Sequence, residues 1–176
     1  KIDPEIYNAA LVSLYTTDRR QHVDLIINPL LKKGKTVVCD RYYFSTAAYQ
    51  GVHFDPLSIM KLNSEFPAPD ITFYLQIPAS VAAQRLAVKQ EMIPSDYYIK
   101  HILYNYEILS EHYPMVIIDA TKDKEKVFEQ IKKYVIEKIQ ETKEMETEKE
   151  IDIKLANKEE ITLITKTNKS SGAISV

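Results

Sequence analysis

The placement of apolar, polar and helix-breaking residues divides the chain into helices and short strands. Residues 3–33 read as one long helix. Asp3-Pro4-Glu5 supplies a cap, a first-turn proline and an acidic first turn, and Lys32-Lys33-Gly34 supplies a basic last turn and a stop. Pro29 is expected to kink or interrupt it. Thr36-Val37-Val38-Cys39 is a short apolar, β-branched run that suits a strand buried on both faces. Short helices are expected over residues 45–49 and 55–65, and the breaker cluster Pro67-Ala68-Pro69-Asp70 precedes a second strand over 71–77. Pro78 opens a helix to about residue 88, and residues 89–94 form a connector. Ser95-Asp96 caps a tyrosine-rich helix that ends near residue 112. Residues 115–118 are a third apolar strand, and 123–143 an amphipathic helix. Strands alternating with helices predict an α/β fold around a parallel sheet.

The pattern changes near residue 143, so the expected division is a folded domain over 1–142 and a charged carboxyl-terminal extension over 143–176. Residues 142–152 read as a solvated helix end or linker. Ile151, Ile153, Leu155, Ile161 and Leu163 alternate with polar residues around a possible turn at Asn157-Lys158, which leaves a weak hairpin and disorder equally open.

Composition narrows the function classes. The chain has 176 residues, the size of one ordinary domain, with 45% hydrophobic and 27% charged residues, an average globular mix. The 23 basic and 25 acidic residues leave a net charge of −2, which argues against coating nucleic acid or an anionic membrane. A single cysteine, Cys39, rules out an intramolecular disulfide and a thiolate zinc cluster, and with no long apolar run the expected home is the cytoplasm. Three glycines, Gly34, Gly51 and Gly172, are too few for a G-x-x-x-x-G-K-[ST] or G-x-G-x-x-G loop. Gly34-Lys35-Thr36 is a decoy, because the first glycine of a Walker A loop would fall at Pro29.

Four of the basic residues are arginines, the side chain whose planar fork grips phosphate and flat rings. Asp40-Arg41-Tyr42 follows the first strand, at the carboxyl end where open parallel sheets bind ligands. The carboxylate can hold a metal or its water, and the fork can take a phosphate bidentately. On the preceding helix Tyr15 and Arg19 share a face, so a ring and a guanidinium can sandwich a flat base. Taken singly, each is more often found in a bland role: a strand-end ion pair, or a core tyrosine beside a surface arginine.

Together they resemble thymidylate kinases. The resemblance rests on Tyr15-x-x-x-Arg19-x-Gln21-His22-Val23 and on Asp40-Arg41-Tyr42-x-x-Ser45-Thr46-x-Ala48-Tyr49-Gln50-Gly51. Pro69-Asp70-Ile71-Thr72-Phe73-Tyr74-Leu75, a helix containing Arg85, and Ile118-Asp119-Ala120-Thr121 extend it over residues 5–140. It implies a P-loop nucleoside-monophosphate-kinase-like parallel sheet with helices on both faces. It also implies transfer of the terminal phosphoryl group of ATP to dTMP, giving ADP and dTDP with Mg2+, commonly in a homodimer. By resemblance Tyr15 stacks on thymine and Arg19 bonds its edge, while Ser45, Thr46 and Gln50 line the substrate side and Tyr49 lies beside the sugar. Arg41 grips the acceptor phosphate, Asp40 positions the magnesium-bound phosphates, Thr121 and Lys122 lie near the adenine, and Lys89 is the one cation of the lid.

The family's first, central strand and its phosphate-cradling loop have no counterpart in this sequence. The expected sheet therefore lacks its middle strand, with two buried edges unpaired, and the chain is expected to be a fragment or one part of a split polypeptide, doubtful as an enzyme alone. Two other readings stand beside it: a related kinase for another nucleotide or deoxynucleoside, and a non-catalytic paralogue that binds nucleotide or a partner.

Overall fold

The computed structural model describes the backbone of residues 3–88, 95–157 and 173–175, and the side chains of 3–88 and 95–143. The first helix, α1 (Pro4–His22), starts as its sequence directs. Asp3 accepts a hydrogen bond from the Glu5 N–H at 2.8 Å, and Pro4 occupies the first turn, where no N–H is missed. The chain then passes through a π-helical turn, Val23–Ile27, into α2 (Asn28–Lys32). The interruption expected at Pro29 thus begins upstream of it. A proline ring collides with the carbonyl four residues earlier, here Leu25, and a widened turn relieves that collision without ending the helix. Gly34 closes α2 in the left-handed region at φ 69°, which a side chain would strain.

The elements that follow are β1 (Val37–Cys39), α3 (Tyr43–Gln50), α4 (Pro56–Leu62), β2 (Ile71–Gln76), α5 (Ala79–Val88) and α6 (Asp96–His112). They are followed by β3 (Val116–Asp119), α7 (Lys124–Asn157) and β4 (Ala173–Ser175). Caps fix two of the helix starts. Asp55 accepts from Ser58 N–H at 2.8 Å ahead of α4, and Ser95 accepts from Tyr98 N–H at 3.2 Å ahead of α6.

All described strand pairs are parallel, in the order β1-β4-β2-β3. Helices cover both faces. On one face Val37 and Cys39 join Val12, Ile27, Phe44 and Leu109 from the α1–α2 region, α3 and α6. On the other, Phe73 and Ile118 pack against Val127, Ile131 and Val135 of α7. Val38, between two buried neighbours, is 68% exposed, so β1 is covered on one side only and not buried on both faces as its apolar run suggested.

The centre of the sheet is where the structure departs from expectation. No strand from ahead of α1 is among the described residues, yet β1 and β2 are not bare edges. Ala173–Ser175 lies between them, with Val37 opposite Ala173 and Cys39 opposite Ser175 on one side. On the other side Ile71 is opposite Ile174 and Thr72 opposite Ser175. The carboxyl-terminal end of the chain thus satisfies backbone groups that would otherwise face a gap. Helix α7 also runs unbroken through the proposed boundary at 142/143, so residues 151–157 are helical rather than the first arm of a hairpin. Charged residues on every turn keep a helix soluble beyond the sheet, and i,i+3 pairs such as Lys132–Glu129 and Lys138–Glu141 run along it. Residues 158–172, where the second arm was expected, lie outside the described residues. Among the described residues no helix is long and apolar enough to cross a membrane.

Candidate functional site

The carboxyl end of β1 carries the first feature out of the ordinary. Arg41 has φ 63°, the one non-glycine residue with positive φ among those described. Left-handed backbone costs an L-residue about 1–2 kcal/mol, and such strain persists where a side chain must be aimed. Here it aims the guanidinium across the first turn of α3. Nη2 donates to Tyr49 Oη at 2.9 Å, and the carbon of the fork lies 4.9 Å from the Tyr49 ring centre. The strain gives a prediction: Arg41→Gly is more stable than Arg41→Ala by about 1 kcal/mol, measured by urea unfolding, because glycine meets no Cβ penalty there.

Arg19 approaches from α1. It is buried, its Nη1 donates to Asn63 Oδ1 at 2.7 Å, and its Nη2 donates to Thr46 Oγ1 at 2.8 Å. The fork carbon lies 5.4 Å from the Tyr42 ring centre and 5.9 Å from that of Phe66. Burial lowers the Arg19 pKa from its ordinary value, partly offset by the neighbouring Tyr42. Burial likewise pushes the Tyr43 phenol up to about 12 and raises those of Tyr42 and the Cys39 thiol, so these groups stay protonated and neutral near pH 7.

Tyr15, Arg19, Arg41, Tyr42, Ser45, Thr46, Tyr49 and Gln50 line one hollow of about 160 Å³. That is smaller than the ~300–1,000 Å³ usual for drug-sized ligands and suits a single ring. Tyr15 is half exposed at the edge of the hollow, while Thr46 and Gln50 are buried on the wall formed by α3. Arg41, Ser45 and Tyr49 also line a larger cavity of about 570 Å³, which takes in Asp40, Tyr74, Tyr106 and apolar residues of α5 and α6. Seven residues singled out in the sequence thus border the small hollow, and Asp40 borders the adjoining one.

Thr121 and Lys122 line neither cavity. They sit past β3, where Thr121 Oγ1 donates to Asp119 Oδ1 at 2.6 Å and Lys122 Nζ lies 3.8 Å from Asp119 Oδ2. The Thr121 hydrogen bonds lower the pKa of the Asp119 carboxyl. Arg85 ties α5 to this loop by donating to the Ala120 carbonyl at 2.8 Å. Lys89 lies outside the described residues.

Two contributors were missed in the sequence. Tyr106, one of several tyrosines on α6, lies 3.0 Å oxygen to oxygen from Ser45 Oγ and stacks on Tyr74 with ring centres 5.1 Å apart. Asn63, the acceptor for Arg19, lies 44 residues from it, and a lone asparagine after a short helix carries no periodic signal.

An open parallel sheet with its hollow at the strands' carboxyl ends, walled by arginines and aromatic rings, is the α/β arrangement to which mononucleotide-binding folds belong. The comparison with known proteins is more specific. The thymidylate kinase family model matches residues 3–131, and the chain belongs to that family. It is 49% identical over 76 residues to a thymidylate kinase of Desulfotalea psychrophila, covering 43% of this chain and 38% of that protein. It is 39% identical over 125 residues to a thymidylate kinase of Akkermansia muciniphila, covering 69% of this chain and 61% of that one. A probable thymidylate kinase of Staphylothermus marinus is 34% identical over 128 residues, covering 70% and 64%. The match spans less than two thirds of each relative's length.

Proposed function

We propose that the chain binds dTMP in the small hollow and forms the acceptor half of an enzyme that transfers the terminal phosphoryl group of ATP to it, giving ADP and dTDP. Support comes from one observation: a ring-sized hollow with Tyr15 and Arg19 on one side, and with Arg41 at its junction with a larger cavity. In this reading Tyr15 stacks on the thymine, Arg19, Thr46 and Gln50 read its edge, and Tyr49 lies beside the sugar. Arg41 and Ser45 take the phosphate. Transfer then needs positioning and charge neutralisation rather than a nucleophilic side chain.

The residues present suit Mg2+ as kinases use it. Among the described residues no cluster of three His, Cys, Asp or Glu side chains is placed to hold a metal. Mg2+ typically rests on substrate phosphates plus one or two carboxylates, and exposed Asp40 on the larger cavity can be one. The ion would neutralise charge on the phosphates. Thr121 and Lys122 would border the adenine, and Lys89 would belong to the lid. Exposed Ile6 and Leu14, eight residues apart on α1, suit a homodimer contact, and the cytoplasm is the compartment we infer from the family.

Calorimetric titration tests the acceptor site directly. Saturable binding of dTMP is expected, weakened at least about tenfold by Tyr15→Ala, as loss of one stacking platform implies. No heat of binding at millimolar dTMP would remove the proposal. A second reading, binding without transfer, is favoured by a specific observation: Ala173–Ser175 fills the interior position of the sheet between β1 and β2. Binding of dTMP with no ADP release from ATP separates the two.

A further inference from the structure

Arg19 is a cation that the fold buries beside neutral acceptors only. It is 9% exposed, and both of its hydrogen bonds, to Asn63 and Thr46, go to uncharged oxygens. A charge buried in this way is costly. A carboxylate partner would offset more of that cost, yet would also claim the fork bidentately. With one neutral acceptor on each terminal nitrogen, two of five donors are committed and the rest remain for the hollow that Arg19 lines.

Asn63 is 1% exposed, does not line the hollow, and caps the carboxyl end of α4. Its Nδ2 donates to the Ile59 carbonyl at 2.8 Å, and its Oδ1 accepts from Arg19 Nη1. Turning the amide over would set a donor against the guanidinium and a carbonyl against a carbonyl, so its two neighbours fix its orientation. The end of α4 thereby clamps the fork of a side chain on α1 from behind. Phe66, just beyond, lies between Arg19 and Arg20, at 5.9 and 4.9 Å from their fork carbons, and Arg20 is in turn paired with Glu65.

We propose that Asn63 is a positioning residue that sets base selectivity. By holding the Arg19 fork in plane, it keeps N–H donors on the base edge, where a pyrimidine with a carbonyl at position 4 accepts and a 4-amino pyrimidine presents a repelling donor. The inference rests on the dTMP reading above. Losing the anchor lets the fork tilt and leaves one of its N–H groups buried without an acceptor.

The test is calorimetry on the full chain with dTMP and dCMP, with folding checked by circular dichroism. The wild type is expected to prefer dTMP. Asn63→Leu is expected to weaken dTMP at least about tenfold while changing dCMP less than about threefold, so the preference narrows, in keeping with the cost of a lost buried hydrogen bond. Should the leucine variant fail to fold, Asn63→Ser, too short to reach Nη1, carries the same expectation. A folded Leu or Ser variant with an unchanged dTMP to dCMP ratio, or one that loses both ligands equally, overturns the role of Asn63 alone. A wild type that binds neither nucleotide overturns the dTMP reading, and this inference with it.

Discussion

Arg41→Ala, in a polypeptide that joins this sequence to a glycine-rich phosphate loop, is expected to lower phosphoryl transfer to dTMP at least about a hundredfold, the scale on which removal of a preorganised charge acts. Coupled measurement of ADP release reads the loss. The argument is geometric. Arg41 is held in a strained left-handed conformation, rests on the Tyr49 ring and lines both cavities, so its charge sits at their junction. Its removal should leave the stacking wall of the hollow intact, so dTMP affinity should fall less than turnover does. Unchanged turnover would take away the main support for the acceptor-phosphate assignment.

Deleting residues 158–176 is expected to lower the melting temperature by more than about 10 °C or to cause aggregation, read by circular dichroism and sedimentation; a loss of roughly 3–5 kcal/mol suffices at this chain length. β4 pairs across three positions with β1 and two with β2, in the middle of the sheet. Without it the two strands face each other across roughly two strand spacings of ~4.8 Å, with unpaired backbone groups. Each buried group left unsatisfied costs about 1–3 kcal/mol against a total stability of only ~5–15 kcal/mol. Ile174→Pro, which removes a ladder donor from a central strand, is a milder form of the same test. A truncated chain that melts as the full one does would mean β4 adds nothing to stability.

The chemistry-bearing part of the site was legible because its signals are local. Tyr15 and Arg19 share a helix face by spacing alone, and Asp40-Arg41 follows a β-branched run whose carboxyl end is where parallel sheets bind ligands. The caps at Asp3, Asp55 and Ser95 each accept within three residues, so the helix starts were equally readable. The end of α7 was not. Its charged continuation contains a short alternating stretch, and over residues 151–157 alternation and a solvated helix make similar patterns.

What the sequence determined by itself was therefore the family, the α/β alternation and the residues around Arg41 and Arg19, each carried by short motifs or by the periodicity of single elements. The tertiary structure alone decided which distant groups meet them: Asn63 behind the Arg19 fork, Tyr106 beside Ser45, and Ala173–Ser175 between β1 and β2. The reason lies in the range of the forces. Propensity and periodicity act along the chain, whereas a buried guanidinium seeks whatever acceptor the packing brings. Two open strand edges likewise take any backbone able to reach them, and neither demand leaves a mark on neighbouring residues.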